Sequence, residues 1–198
     1  MTELASLEAF SVKQRITLMV NRYEIRGPAA GGGEGPLIAV AQQKRMAFKE
    51  QVTFFADEAR TQPLFGFTAR QRLDLGATYD VVDGAGQPIG WFRKKFGASL
   101  LRSTWTLGLP DGRELTGTER NPTIAIARRL WEFLPVVENL PSPFVFHVDF
   151  VDAAGTVLLS SERQRTLRDR YEIRVPSGQV DGRLAAAMAV ALDALQSR

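Results

Sequence analysis

The residues that could most readily take part in catalysis in this 198-residue chain are its single histidine and a nearby carboxylate. In a strand, His147 and Asp149 would share one face, because side chains alternate with a period of two. A carboxylate beside an imidazole can orient a general base. Catalysis would also need a nucleophile or a metal, and the sequence has no cysteine, no GxSxG motif and no HExxH motif. We therefore interpret the pair as an outward polar pair, and predict no catalytic residue and no enzyme activity.

A glycine-rich run at residues 31–35 resembles a phosphate-binding loop in composition only. It is not followed by Lys-Ser or Lys-Thr, and it does not open a helical pattern. Backbone amides and a helix dipole therefore cannot converge there on a phosphate, and a hairpin loop is favoured. The acidic residues Asp149 and Asp152 are too sparse for a calcium-binding loop. The sequence thus predicts no metal and no cofactor.

Basic residues give the strongest functional signal. Residues 87–110 contain four basic residues and no acidic residue, and aromatic side chains lie among them. Basic charge beside exposed aromatics is typical of surfaces that bind membranes or phosphate groups. The alternative is a solvated strand face, with the charges outward and the aromatics inward. The predicted lipid-binding or phosphate-binding residues are Lys44, Arg45, Lys49, Arg93, Lys94, Lys95 and Arg102.

Composition limits the other classes of function. The net charge of +3 is too small to indicate nucleic-acid binding, and we expect no nucleic-acid partner. Without cysteine, disulfides and cysteine-linked lipid anchors are excluded. The first ten residues have neither a basic start nor an apolar core, so they do not indicate a secretory signal, and a cytoplasmic location is expected. We predict one domain over residues 1–198, with residues 1–14 as a flexible or peripheral segment.

The elements that must position these residues are mostly strands. Short apolar or alternating runs are separated by Gly, Pro and Asp at roughly ten-residue spacing, which predicts a mainly β protein. The predicted strands are 15–26, 36–43, 51–56, 63–70, 78–83, 88–95, 103–109, 113–119, 143–151, 156–162 and 170–175. Three connections have hairpin chemistry, an Asp with a following Gly, and predict antiparallel pairing: 83–86, 110–112 and 152–155.

One pentapeptide occurs twice. The sequence Arg-Tyr-Glu-Ile-Arg stands at residues 22–26 and again at 170–174. In a strand, the tyrosine and isoleucine would share one face, and the three charged residues the other. The repeat therefore indicates two equivalent half-buried strands.

Two segments have helical patterns instead. After Asn121-Pro122, apolar residues at helical spacing predict an amphipathic helix near 122–134, packed outside or at one end of the strands. The second segment, residues 182–196, is apolar on all sides from 184 to 192. A helix of this kind must be buried all round, yet it is far shorter than the roughly 20 residues that cross a membrane.

The alanine content of the terminal helix favours a particular architecture. Its small side chains make it slim enough to lie inside a ring of strands, so we predict a closed antiparallel barrel around it. A helix laid on one sheet of a sandwich is the alternative. Replacing an interior alanine with glutamate should unfold a barrel of this kind, because the charge would be buried without a partner.

Three segments carry a resemblance to a known family. In order, they are FKEQVTFF at 48–55, GATYDVVD at 76–83 and PIGWFRKK at 88–95. Together with the terminal helix, they resemble the Tubby C-terminal-like superfamily, in its LURP-one-related and phospholipid-scramblase branch, which includes bacterial members. The resemblance covers about residues 20–196. It implies a closed antiparallel Tubby-like barrel that encloses a hydrophobic C-terminal helix.

The functional implications of the resemblance are narrower. The chain lacks the cysteine-rich palmitoylation cluster, the proline-rich N-terminal region and the acidic calcium loop associated with eukaryotic scramblases. Tubby domains bind phosphoinositide headgroups through basic side chains, and the electropositive stretch here is similar in kind. The individual Tubby lysines and arginines are not matched to positions in this chain, so none of their roles is carried over.

Two functions from different classes remain open at this point. The first is a non-enzymatic module that binds anionic phospholipid headgroups, peripheral at the inner face of the membrane. The second is a scaffold or regulatory barrel whose partner is another protein or a second copy of this chain. Salt-sensitive binding to anionic vesicles would distinguish the first from the second.

Overall fold

The architecture was determined from a computed structural model. The structure describes residues 3–16, 20–29, 34–44, 51–70, 76–95, 104–121, 147–164, 170–176 and 178–196. Within these ranges the elements are a 3-10 helix (Glu3–Ser6), β1 (Ala9–Ile16), β2 (Val20–Arg26), β3 (Leu37–Lys44), β4 (Gln51–Phe55), β5 (Pro63–Ala69), β6 (Thr78–Asp83), β7 (Pro88–Lys95), β8 (Thr104–Gly108), β9 (Glu114–Glu119), β10 (His147–Val151), β11 (Val157–Gln164), β12 (Arg170–Arg174) and α1 (Gly182–Gln196).

The twelve strands form one closed antiparallel barrel. Each strand pairs with its neighbours in the sequence, and β1 pairs with β12 to close the ring, with Phe10 opposite Ile173. Alternate side chains point to the interior, so the half-buried pattern of each strand places its apolar residues on one wall. Across β4 to β8 that wall is aromatic, with Phe54 stacked on Phe65 at 4.2 Å between ring centroids and Tyr79 stacked on Phe92 at 5.1 Å. The mainly β fold and the closed barrel are confirmed.

Helix α1 fills the barrel. Asp181 caps its first turn, since its carboxylate accepts the backbone N–H of Arg183 at 2.8 Å. Residues 184–193 are all buried, and the helix contacts β1, β5, β7, β12 and the 3-10 helix. At Gly90, which has a φ of 145°, an added Cβ would lie 2.5 Å from the side chain of Leu184, so the strand approaches the helix as closely as glycine permits. The prediction of an enclosed terminal helix is confirmed.

The N-terminal segment differs from its prediction. Residues 9–16 form β1 and are part of the barrel wall, so residues 1–14 are not a peripheral segment as a whole. Leu4 is fully buried, and its carbonyl lies against Gly182 at the start of α1. The predicted strand 15–26 is in fact parts of two strands. Residues 17–19 between them contain no Gly, Pro, Asn or Asp, so no residue type there indicates a turn.

The predicted hairpins close one end of the barrel. Asp83, Asp111 and Asp152 each accept backbone N–H groups of their own turns at 2.8–3.0 Å. The turn glycines have φ values of 81° to 87°, a conformation that glycine adopts without strain. All six connections at the other end include residues outside the described ranges, and so does the helix predicted near 122–134.

Candidate functional site

Strand β7 contains three of the seven basic candidates. Its alternation places Trp91, Arg93 and Lys95 on the outside of the barrel, because Phe92 is fully buried within the core. Lys94 faces the interior opposite Trp105, and its Nζ atom lies 5.8 Å from the centre of the indole. Lys94 therefore lies on the other face of the strand from Arg93 and Lys95, and its part in binding stays a prediction. A run of three bases on a strand is divided between two faces by the pleat.

Trp91 organises the outer face of β7. Its indole lies over β8 at Gly108, where an added Cβ would come within 2.1 Å of the ring. The guanidinium carbon of Arg93 lies 5.8 Å from the ring centroid, and that of Arg70 lies 6.0 Å from it. These distances are within the range of cation–π attraction. We call Trp91, Arg93 and Lys95 the β7 basic face.

The positive charges around Trp91 are not equivalent. Arg70 donates two hydrogen bonds to Asp80, at 2.8 and 2.7 Å, and these bonds raise the pKa of the guanidinium above its usual value. Within the described ranges, by contrast, no carboxylate pairs with Arg93 or Lys95, and the buried Nε of Arg93 has no hydrogen-bond partner. Judged by the described residues, the β7 basic face keeps two positive charges that no acid cancels.

Three other exposed arginines are ion-paired. Arg120 donates to Asp149 at 2.7 and 2.8 Å and to Glu162 at 2.9 Å, and these hydrogen bonds raise the pKa of Arg120. Two further arginines pair with a carboxylate two positions earlier on their own segment, Arg174 with Glu172 and Arg113 with Asp111, each at 2.7 Å. Positive charge on these parts of the surface is largely cancelled locally.

The structure does not place the side chains of the other four basic candidates relative to the β7 basic face. Lys44 is the last residue of β3 and pairs with Val20 across the sheet, but its side chain is not described. Arg45, Lys49 and Arg102 lie outside the described residues. Their part in binding stays a prediction.

The pair formed by His147 and Asp149 lies on the outer wall of the barrel. His147 and Asp149 both face outward on β10, as the strand period predicts. Both oxygens of Asp149 accept bonds from Arg120, and the Nδ1 atom of His147 has no hydrogen-bond partner. No group of three His, Cys, Asp or Glu side chains in the described ranges could hold a metal ion.

A buried polar cluster inside the barrel was missed by the sequence analysis. The hydroxyl of Tyr23 donates to one carboxylate oxygen of Asp193 at 2.8 Å, and that of Tyr171 donates to the other at 2.5 Å. Both tyrosines belong to the repeated Arg-Tyr-Glu-Ile-Arg segments, on the two strands that flank β1. The available signal was the repeat, together with the one acidic residue in an otherwise apolar stretch of helix.

The fold and the surface define a class of protein. It is a closed twelve-stranded antiparallel barrel wrapped around a buried C-terminal helix, with ion-paired arginines on its surface and, among the described residues, basic charge without a carboxylate partner on β7. The profile of the LURP-one-related family matches residues 38–193, most of the chain. The chain therefore belongs to the LURP-one-related family, which is part of the Tubby-like superfamily.

Comparison with solved structures gives a distant similarity. Among solved structures, the chain is similar to a porin-like protein from Bacteroides uniformis, at 8% sequence identity and a TM-score of 0.32, over 84% of this chain and 96% of that one. The search of curated proteins found no match. None of the helices among the described residues combines the length and the apolar character of a membrane-spanning segment.

Proposed function

We propose that this chain is a non-enzymatic module that binds anionic phospholipid headgroups at the inner face of the membrane through the β7 basic face. The observation that carries the proposal is the pair of outward charges on Arg93 and Lys95, for which the described residues provide no carboxylate. A surface whose charges are already cancelled would gain little from an anionic membrane. Positive charges without a carboxylate partner remain available to interact with the membrane.

The energetics of such a surface are modest but measurable. Each lysine or arginine near an anionic membrane contributes about 1 kcal/mol, so two charges amount to about 30-fold in affinity. Trp91 adds an aromatic side chain of the kind that is enriched at membrane interfaces. Its contacts with Arg70 and Arg93 hold the indole on the outer wall. The association should weaken as salt screens the charges.

Vesicle flotation tests the proposal. The wild-type chain should float with vesicles that contain phosphatidylserine, should not float with phosphatidylcholine alone, and should be released by salt. The variant Arg93→Ala/Lys95→Ala should bind about 30-fold more weakly. The matched control is Arg113→Ala/Arg174→Ala, which removes the same charge from exposed positions that are ion-paired.

Two results would overturn the proposal. Binding that is insensitive to salt would exclude an electrostatic mechanism. Equal loss of binding in both double variants would show that net charge, and not the β7 basic face, determines the association. If no vesicle composition recruits the chain, a protein partner or a second copy of the chain becomes the better hypothesis.

A further inference from the structure

We draw no further inference here: the strongest candidate, the cluster of buried polar side chains that Glu119 on β9 and Ser161 on β11 form on the inner wall of the barrel, on either side of β10, carries no proposal because nothing in the described part of the chain shows an opening through which a ligand could reach them.

Discussion

Asp193 is the residue through which the far end of helix α1 is held to the barrel wall. It is buried, and its two oxygens accept hydrogen bonds from Tyr23 and Tyr171. Gln14 contacts the Tyr23 hydroxyl at 3.4 Å and extends the cluster to a third strand. A buried carboxylate is costly unless it is hydrogen-bonded, so these donors make an acidic residue tolerable inside an apolar barrel.

Tyr171→Phe should therefore lower the free energy of unfolding by about 1.5–3 kcal/mol, the usual range for a hydrogen bond to a charged group. Chemical denaturation would measure it. In the Asp193→Ala background the same substitution should cost much less, because the two residues act as one unit. A full additional loss in that background would contradict the assigned bond.

Lys94 should respond differently from its neighbours on β7. Its side chain faces the interior over Trp105, where a cation–π contact and the buried stem contribute about 1 kcal/mol. Lys94→Ala should lower stability by that amount and change vesicle binding by less than about twofold, since the charge is on the inner wall. Paired denaturation and flotation of Lys94→Ala and Lys95→Ala would show whether the two effects separate in this way.

Asp57 gives a pH-dependent prediction in the turn between β4 and β5. Partial burial raises the pKa of its carboxyl, but hydrogen bonds from Thr61 and Gln62 outweigh this and lower it below 3.8. A lowered pKa stabilises the fold above the unfolded value, and this contribution is lost as the pH falls through the folded value. The melting temperature of Asp57→Ala should therefore be below that of the wild type at neutral pH. The gap should narrow below about pH 4, and a gap independent of pH would contradict the assignment.

Among the elements, helix α1 could be predicted most completely from the sequence. Its apolar stretch has no polar face, is too short to cross a membrane, and is narrow because it is rich in alanine. Few arrangements of an all-β protein would bury such a helix on all sides. The missed strand β1 had weaker signals, because Glu8, Lys13 and Arg15 obscure the apolar alternation of Phe10 and Val12. Its position depends on pairing with β12. Because this pairing joins segments near the two ends of the chain, no local sequence pattern predicts it.

The interior position of α1 predicts a large effect of a buried charge. Ala187 and Ala191 are fully buried, so glutamate at either position would be an unpaired interior charge that costs several kcal/mol. Circular dichroism should show that Ala187→Glu and Ala191→Glu unfold. Val157→Glu, at a position with 39% exposure, is the control and should fold. A folded Ala187→Glu that loses only membrane attachment would contradict the enclosed helix.

At the scale of the whole molecule, the barrel separates stability from surface function. The interior holds the helix, the aromatic wall and the Asp193 cluster, and the outer wall holds arginines such as Arg93, Arg120 and Arg174. On the outside, ion pairs such as Arg120 with Asp149 cancel many of the charges, and the β7 basic face does not take part in this cancellation. Among the described residues, the β7 basic face thus differs from the other basic positions because it lacks a local carboxylate, and not because it has more basic residues.

This distinction explains what the sequence could and could not reveal about the site. Spacing alone singled out β7 as the candidate strand, since residues 87–110 have no acidic residue. It could not separate Lys94 from Arg93 without the register of the strand. It also could not show that Asp80, ten residues after Arg70, cancels the charge of that arginine through a cross-strand ion pair. The folded barrel decides which basic side chains have a carboxylate partner, and sequence spacing does not.

The most direct test of the proposed membrane function compares two variants of equal net charge on the same anionic vesicles. Affinity for phosphatidylserine vesicles would be measured at low and at high salt for Arg93→Ala/Lys95→Ala and for Arg113→Ala/Arg174→Ala. We predict a loss of about 30-fold at low salt for the first and little change for the second, with the difference reduced at high salt. Equal affinities for the two variants at both salt concentrations would contradict the proposal that the β7 basic face binds the membrane.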